Sequence, residues 1–201
     1  MIRWQITKGC SRLTPGCDNC PSYWEYKKGD KDYHPVFQRD RINEPRRFEK
    51  RDDVIVSPGS DIFHEAIRTS ELLQILHTIQ HCPQHSFEIG TKRIERVEAL
   101  DWDWPDNVVM GVAVEQARYK WRIDALRNVK ARRFVSFSPV LEDIGEVNLD
   151  GIHYAGAMLE DWGNKPRKGE QAWTDDLYDQ IEAQGVVVLG QRWMYQSREA
   201  S

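Results

Sequence analysis

Val108-Val109-Met110-Gly111-Val112-Ala113-Val114 is an almost unbroken apolar run, and its reading decides the fold. A strand with one wet face alternates apolar and polar residues, whereas a parallel strand covered on both faces is apolar throughout. Outward from this run the same unit repeats. Ser86 to Gly90 is strand-like and Lys92 to Leu100 helix-like. On the other side Ala117 to Val129 has helical spacing, with Trp121, Ala125 and Val129 predicted on its packed face. Earlier, Asp53 to Ser57 precedes a helix carrying Leu72, Ile75, Leu76 and Ile79, with Thr69 or Ser70 as cap and Glu71 in the first turn. Later come a strand at Arg133 to Phe137, a helical or irregular stretch near 140–145, and a strand at Ile152 to Gly156. A helix at Asp175 to Ala183 and a last strand at Gly185 to Gly190 complete the series. Roughly half a dozen βα units predict an α/β fold whose parallel strands curl into a full or partial (β/α) barrel with outer helices. One domain over 1–201 is expected, with 30–50 and 160–174 as loops or lids over one end.

Composition excludes several classes. The 201 residues are 40% hydrophobic and 30% charged, which is enough for one well-packed core. No apolar run approaches the ~20 residues of a membrane helix, so no membrane association is expected. Met1-Ile2-Arg3-Trp4 is strand-like from the start, which points to a cytoplasmic protein. A net charge of −4 argues against a general nucleic-acid coat, although Arg39, Arg41, Arg46 and Arg47 crowd one stretch.

Three of the four cysteines lie in Gly9-Cys10-Ser11-Arg12-Leu13-Thr14-Pro15-Gly16-Cys17-Asp18-Asn19-Cys20. A closed structural zinc site needs four protein ligands, and an ordinary iron–sulfur cluster takes four thiolates. Three thiolates on a cubane cluster leave one iron open to a substrate or cofactor. Gly9, Pro15 and Gly16 supply the turns that would wrap backbone amides around such a centre. The alternative is a zinc knuckle with distant His34 as fourth ligand. Disulfide pairing leaves an odd cysteine over. Cys82 follows a helix and is expected to pack as a small buried apolar side chain.

In a parallel βα fold the site lies at the carboxyl ends of the strands. The polar residues expected there are the cysteine loop, Ser57, Ser60, Asp61, His64 and Glu65, then Lys92, Arg93 and Glu115. Ser136, Glu160 and Gln191-Arg192-Trp193 follow.

These stretches resemble a phage-associated, radical-SAM-like family of three-cysteine proteins. The resemblance lies in Thr14 to Cys20, Ser60 to Glu65, Cys82 to Phe87 with Thr91-Lys92-Arg93, Gly111 to Glu115, Arg133 to Ser136, and Gly185 to Trp193. It implies a partial barrel with a 4Fe-4S cluster on Cys10, Cys17 and Cys20 and S-adenosyl-L-methionine on the open iron. Ser60 and Asp61 would then receive the methionyl amino group, Lys92 or Arg93 its carboxylate, and Glu115 the ribose hydroxyls, with Ser136 beside them. Six residues separate the first two cysteines, where the common radical-SAM pattern has three. Phe137-Ser138-Pro139 stands where the family has a glutamate after Ser136. Ala155-Gly156-Ala157-Met158-Leu159-Glu160 stands in place of its Gly-Gly-Glu-Ser stretch.

The activity implied is formation of a 5′-deoxyadenosyl radical, fed by a reducing electron donor. It would rearrange or isomerise a modified nucleobase in phage DNA or its precursor, in the host cytoplasm if the chain is phage-encoded. Arg46, Arg47, His64, Glu65 and Glu160 are the candidate substrate contacts. The competing reading is a non-catalytic nucleic-acid-binding protein stabilised by zinc or a cluster. Neither reading gives an oligomeric state.

Overall fold

The fold was analysed in a computed structural model that describes residues 1–24, 33–49, 51–162 and 165–189. Seven strands form one parallel sheet: β1 (Ile2–Trp4), β4 (Asp53–Val56), β5 (Ser86–Thr91), β6 (Val108–Ala113), β7 (Arg132–Val140), β8 (Tyr154–Leu159) and β9 (Val187–Val188). A separate antiparallel pair, β2 (Thr7–Lys8) and β3 (Val36–Phe37), stands beside the first turn.

Spatial order in the large sheet follows chain order, and every neighbouring pair is parallel. Parallel crossovers share one handedness, so a sheet wound steadily in one direction carries its helices on one face. The helices are α1 (Thr69–Gln80), α2 (Ile94–Glu98), α3 (Trp121–Arg127) and α4 (Gln171–Ala183). They share one core with Val54, Val56, Phe87, Ile89, Val108 and Met110, which are successive outward positions of β4, β5 and β6. The opposite face carries Arg3, Ile55, Glu88, Gly90, Phe134 and Ser136, and these line a cavity of about 340 Å³. Among the described strands no pairing closes β9 onto β1. The α/β class and the parallel sheet match expectation, and a closed barrel is not formed.

Several local predictions shift. α1 begins where expected, but its turn is closed by the Arg68 backbone N–H donating to Glu71 Oε2 at 3.0 Å, rather than by Thr69 or Ser70. Near 140–145, where a helical or irregular stretch was expected, the chain is irregular after β7 ends at Val140. Ala117–Tyr119 forms a 3₁₀ turn, and α3 buries Arg122, Ile123 and Leu126. Of the predicted face, Val129 is buried in the core and Ala125 packs against it, whereas Trp121 turns outward. Trp121 is 40% exposed. The cause is the buried ion pair between Arg122 and Glu115, which rotates the helix to bring a cation inward. Cys82 is buried in the core as expected. No described helix is long and apolar enough to cross a membrane.

Rotation of α3 has a measurable consequence. Ile123→Ala should lower unfolding free energy by about 2–5 kcal/mol in urea titration, as for a buried aliphatic truncation. Trp121→Ala should change it by less than ~1 kcal/mol. Equal losses would contradict this packing.

Candidate functional site

The site begins with Glu115, just past the end of β6 and 0% exposed. An ionised carboxylate survives such burial only when charges and donors surround it. Arg122 Nη1 donates to Oε2 at 3.0 Å, while Lys92 Nζ and Thr14 Oγ1 both donate to Oε1. Lys92 comes from the end of β5 and Arg122 from α3. Thr14 belongs to the cysteine loop, so one carboxylate joins strand ends, helix and loop.

Gly16 fits the loop against this anchor. A Cβ there would lie 2.6 Å from Glu115 Cγ and Oε1. Gly9 makes the loop's entry turn at φ +80°, where a Cβ would meet the His34 carbonyl at 2.1 Å. Both positions need glycine, one for room and the other also for its backbone angle.

The loop ties to the strand ends at further points. Arg93 donates to Asp61 Oδ2 at 3.1 Å, Glu65 Oε2 at 2.9 Å and Ser11 Oγ at 2.8 Å, and its Nη1 lies 3.8 Å from Cys10 Sγ. His64 Nε2 and Ser11 Oγ are 2.7 Å apart. Burial, then Arg93, hold His64 below its ordinary value, which favours the neutral ring. Ser60 donates to the Gly9 carbonyl, and Thr7 links its hydroxyl to those of Ser57 and Ser60 at 2.9 and 3.1 Å. Ser57 itself adopts φ +49°, an uncommon angle for a side-chain-bearing residue, at the turn after β4.

Across the rim, Glu160 at the end of β8 holds a strap. Arg167 Nη2 and Nε donate to its carboxylate at 2.5 and 3.0 Å, and Asn19 Nδ2 donates at 2.8 Å. Arg167 Nη1 also donates to the Pro15 carbonyl at 2.9 Å. Burial opposes the charge on Glu160, but Arg167 and Asn19 bring its carboxyl below the usual value.

Cys10, Cys17 and Cys20 all line the cavity. The Cys10 thiol is pushed up to about 11, first by burial and then by Asp61. Cys20 is raised by burial. Cys17 is different. Burial would raise it, but Lys92 Nζ at 3.4 Å and donors from Leu13 and Thr14 bring it below its ordinary value. Glu115 faces two cations, so the pocket favours a second negative charge, and Cys17 is placed to carry it.

The three candidate donors are all sulfur, with Lys92 beside Cys17 and Arg93 beside Cys10. Among the described residues no three His, Cys, Asp or Glu side chains form a ready single-ion site. His34 is exposed. A polynuclear iron–sulfur centre holds its thiolates farther apart than one ion does, and backbone donors with nearby cations suit its negative charge. All three thiols open on one cavity.

Placement of the expected residues is uneven. Ser60, Asp61, Lys92, Arg93 and Ser136 line the cavity with the cysteines. Asp61 is already engaged by Thr91 Oγ1 at 2.9 and 3.0 Å and by Arg93. Glu115 lies beneath the loop with both oxygens engaged, a placement that does not match contact with ribose hydroxyls. Glu65 is exposed and pairs with Arg93. Arg46 and Arg47 do not reach the rim. Their 3₁₀ turn (Glu44–Arg47) packs on His85, just before β5 begins, where the Pro45 carbonyl lies 3.1 Å from Nε2. Phe48 joins the same ring contact. Thus 44–48 packs at the amino end of the sheet, whereas 38–41 bonds near the carboxyl end of β1 and the described part of 160–174 reaches the cysteine loop. Phe137 is buried on the helix side, so the departure there does not face the cavity. Gln191, Arg192 and Trp193 lie outside the described residues.

Thr14, Asn19, Arg122, Arg167 and Glu88 were not anticipated. Arg122 had a signal, because an arginine at the inward spacing of a helix demands a buried acid. Glu88 had one too, alternating against Phe87 and Ile89. Arg167 had none, since its segment has no periodicity.

In metal-free protein, Cys17 should alkylate with iodoacetamide at lower pH than Cys10 or Cys20, because the thiolate is the reacting form. Lys92→Gln should move the Cys17 rate profile to higher pH. Mass-spectrometric mapping showing Cys10 reacting first would refute the assigned electrostatics.

No curated protein and no solved structure matches the chain. A family model described as a protein of unknown function (DUF5131) matches residues 2–199. That match spans the sheet, the cysteine loop and the strap alike: the chain belongs to the DUF5131 family.

Proposed function

We propose that this protein is a radical S-adenosylmethionine enzyme with a partial (β/α) barrel, in which Cys10, Cys17 and Cys20 hold a 4Fe-4S cluster and leave one iron for the cofactor. One observation carries the reading: three thiols line one cavity at the carboxyl ends of sequentially ordered parallel strands. Such a bound group supplies one-electron cleavage of a sulfonium and hydrogen abstraction from an unactivated carbon.

The chain's own residues then have defined tasks. Lys92 balances thiolate charge at Cys17, and Arg93 does the same beside Cys10. Arg93 and Ser60 are the wall groups suited to an amino-acid carboxylate and ammonium respectively, through a charged donor and a hydroxyl acceptor. Ser136 offers a further hydroxyl to the cofactor or substrate. The Glu160–Arg167 ion pair, which also reaches the Pro15 carbonyl and Asn19, would steady the cysteine loop around the bound group. A nucleobase, free or in a nucleotide or DNA, is the proposed substrate, with rearrangement or isomerisation as the reaction. A cytoplasmic setting with a reducing electron donor would suit such a centre.

Anaerobic reconstitution tests this. Wild-type protein should turn brown and take up about four iron and four sulfide per chain. Cys10→Ala, Cys17→Ala and Cys20→Ala should each lose that uptake, whereas Cys82→Ala should keep it. Colourless protein binding one zinc would overturn the proposal, as would loss of iron from Cys82→Ala alone.

A further inference from the structure

The cavity floor lies below the cysteine rim, and no expected role accounts for it. It is built on β5, where the alternation that sends Phe87 and Ile89 to the core turns Glu88 and Gly90 inward. Gly90 pairs with Gly111, and Gly111 with Phe134. The Phe134 ring lies over Gly111 so closely that a Cβ there would be 2.1 Å from it, and it reaches toward Gly90, where a Cβ would be 3.5 Å away. Gly90 remains exposed. The result is a flat slot bounded by an aromatic ring and a bare stretch of backbone. Its polar feature is Glu88, whose Oε2 is buried and has no hydrogen-bond partner among the described residues. An unpartnered buried acceptor is costly, and in a cavity wall it marks a place for a ligand donor.

We propose that this floor binds the lactam edge, –C(=O)–NH–, of a flat oxo-heterocycle that lies over Gly90 beside Phe134 and pairs with the Glu88 carboxyl. A protonated carboxyl presents one donor and one acceptor side by side. Its O–H donates to the ring carbonyl, and its C=O accepts from the ring N–H. Burial, then Asp53, push Glu88 up to about 8, so the neutral form prevails at neutral pH. The charged groups facing this side of the sheet are Arg3 on β1, Asp53 on β4 and Arg132 on β7, with Asp61, Lys92 and Arg93 at the rim. Arg132 lies 3.4 Å from both Tyr154 Oη and Ser86 Oγ. The proposal rests on the reading of this cavity as a substrate site and names the substrate edge it accepts.

Calorimetry with uridine, inosine and N3-methyluridine tests the floor, using anaerobically reconstituted protein and the same protein without added iron. Uridine or inosine should bind, and which of them does identifies a pyrimidine or a purine ring. N3-methyluridine, which lacks the N–H, should bind at least about tenfold more weakly than uridine if the ring is a pyrimidine. Glu88→Ala should lose about tenfold or more. Glu88→Gln, which keeps one donor and one acceptor, should stay within about threefold. Wild-type affinity should fall as pH rises through about 8, because only the neutral acid donates, while Glu88→Gln should stay flat. Gly90→Val fills the slot without changing charge and should abolish binding in a folded protein. Binding of neither nucleoside, or no loss in Glu88→Ala, would overturn the proposal. Protein that refuses the cluster yet discriminates the lactam keeps the floor and rejects the cluster. Protein that takes the cluster without discriminating does the reverse.

Discussion

One buried carboxylate organises the rim. Glu115 is wholly out of water and is held by Arg122, Lys92 and Thr14. Removing one member of such a group leaves a charge buried without compensation, a loss of roughly 3–5 kcal/mol. The group also carries surplus positive charge, one carboxylate against two cations. Cys17 lies at the open side of Lys92, and its lowered thiol offsets that surplus. Electrostatics that seat the loop therefore also prepare its central sulfur.

The cavity follows from winding. Because strand order follows chain order, the helices occupy one face and the other is left concave. Residues of that inner face that line the cavity include the small or polar Gly90 and Ser136, while Gly111 makes room for the Phe134 ring. The rim above is crossed from two directions. Arg93 binds the loop's first half through Ser11, and Arg167 binds its second half through Pro15 and the shared Glu160. Arg46 and Arg47 take no part in this, being packed at the opposite end.

Strand identity was legible because buried parallel strands leave an unmistakable pattern, as Val108 to Val114 does. Convergence of Ser60, Lys92 and Arg93 on the cysteines was legible for a related reason: strand ends in such sheets share one edge. Helix phase was legible in part: Val129 and Ala125 pack inward as their spacing suggests, but the place of Trp121 goes to Arg122, whose ion pair with Glu115 only three dimensions reveal. The direction taken by 44–48 was hidden likewise, because charge in a loop does not say which end of a sheet it covers. Glu115 was expected to hold ribose hydroxyls, whereas its burial under Gly16 with both oxygens engaged makes it an anchor for the cysteine loop. The family match spans the chain without assigning chemistry, so each role rests on geometry.

The central claim is that Glu115 holds the cysteine loop in place. Hydrogen exchange of wild-type protein against Glu115→Gln tests it most directly. The Cys17 and Asp18 amides, which donate to Thr14 and Pro15 carbonyls at 2.9 and 3.1 Å, should exchange at least about tenfold faster in the variant. Amides of α1, remote from the anchor, should keep their protection. Unchanged exchange at Cys17 and Asp18 would contradict the account, as would uniform loosening of the loop and α1 together.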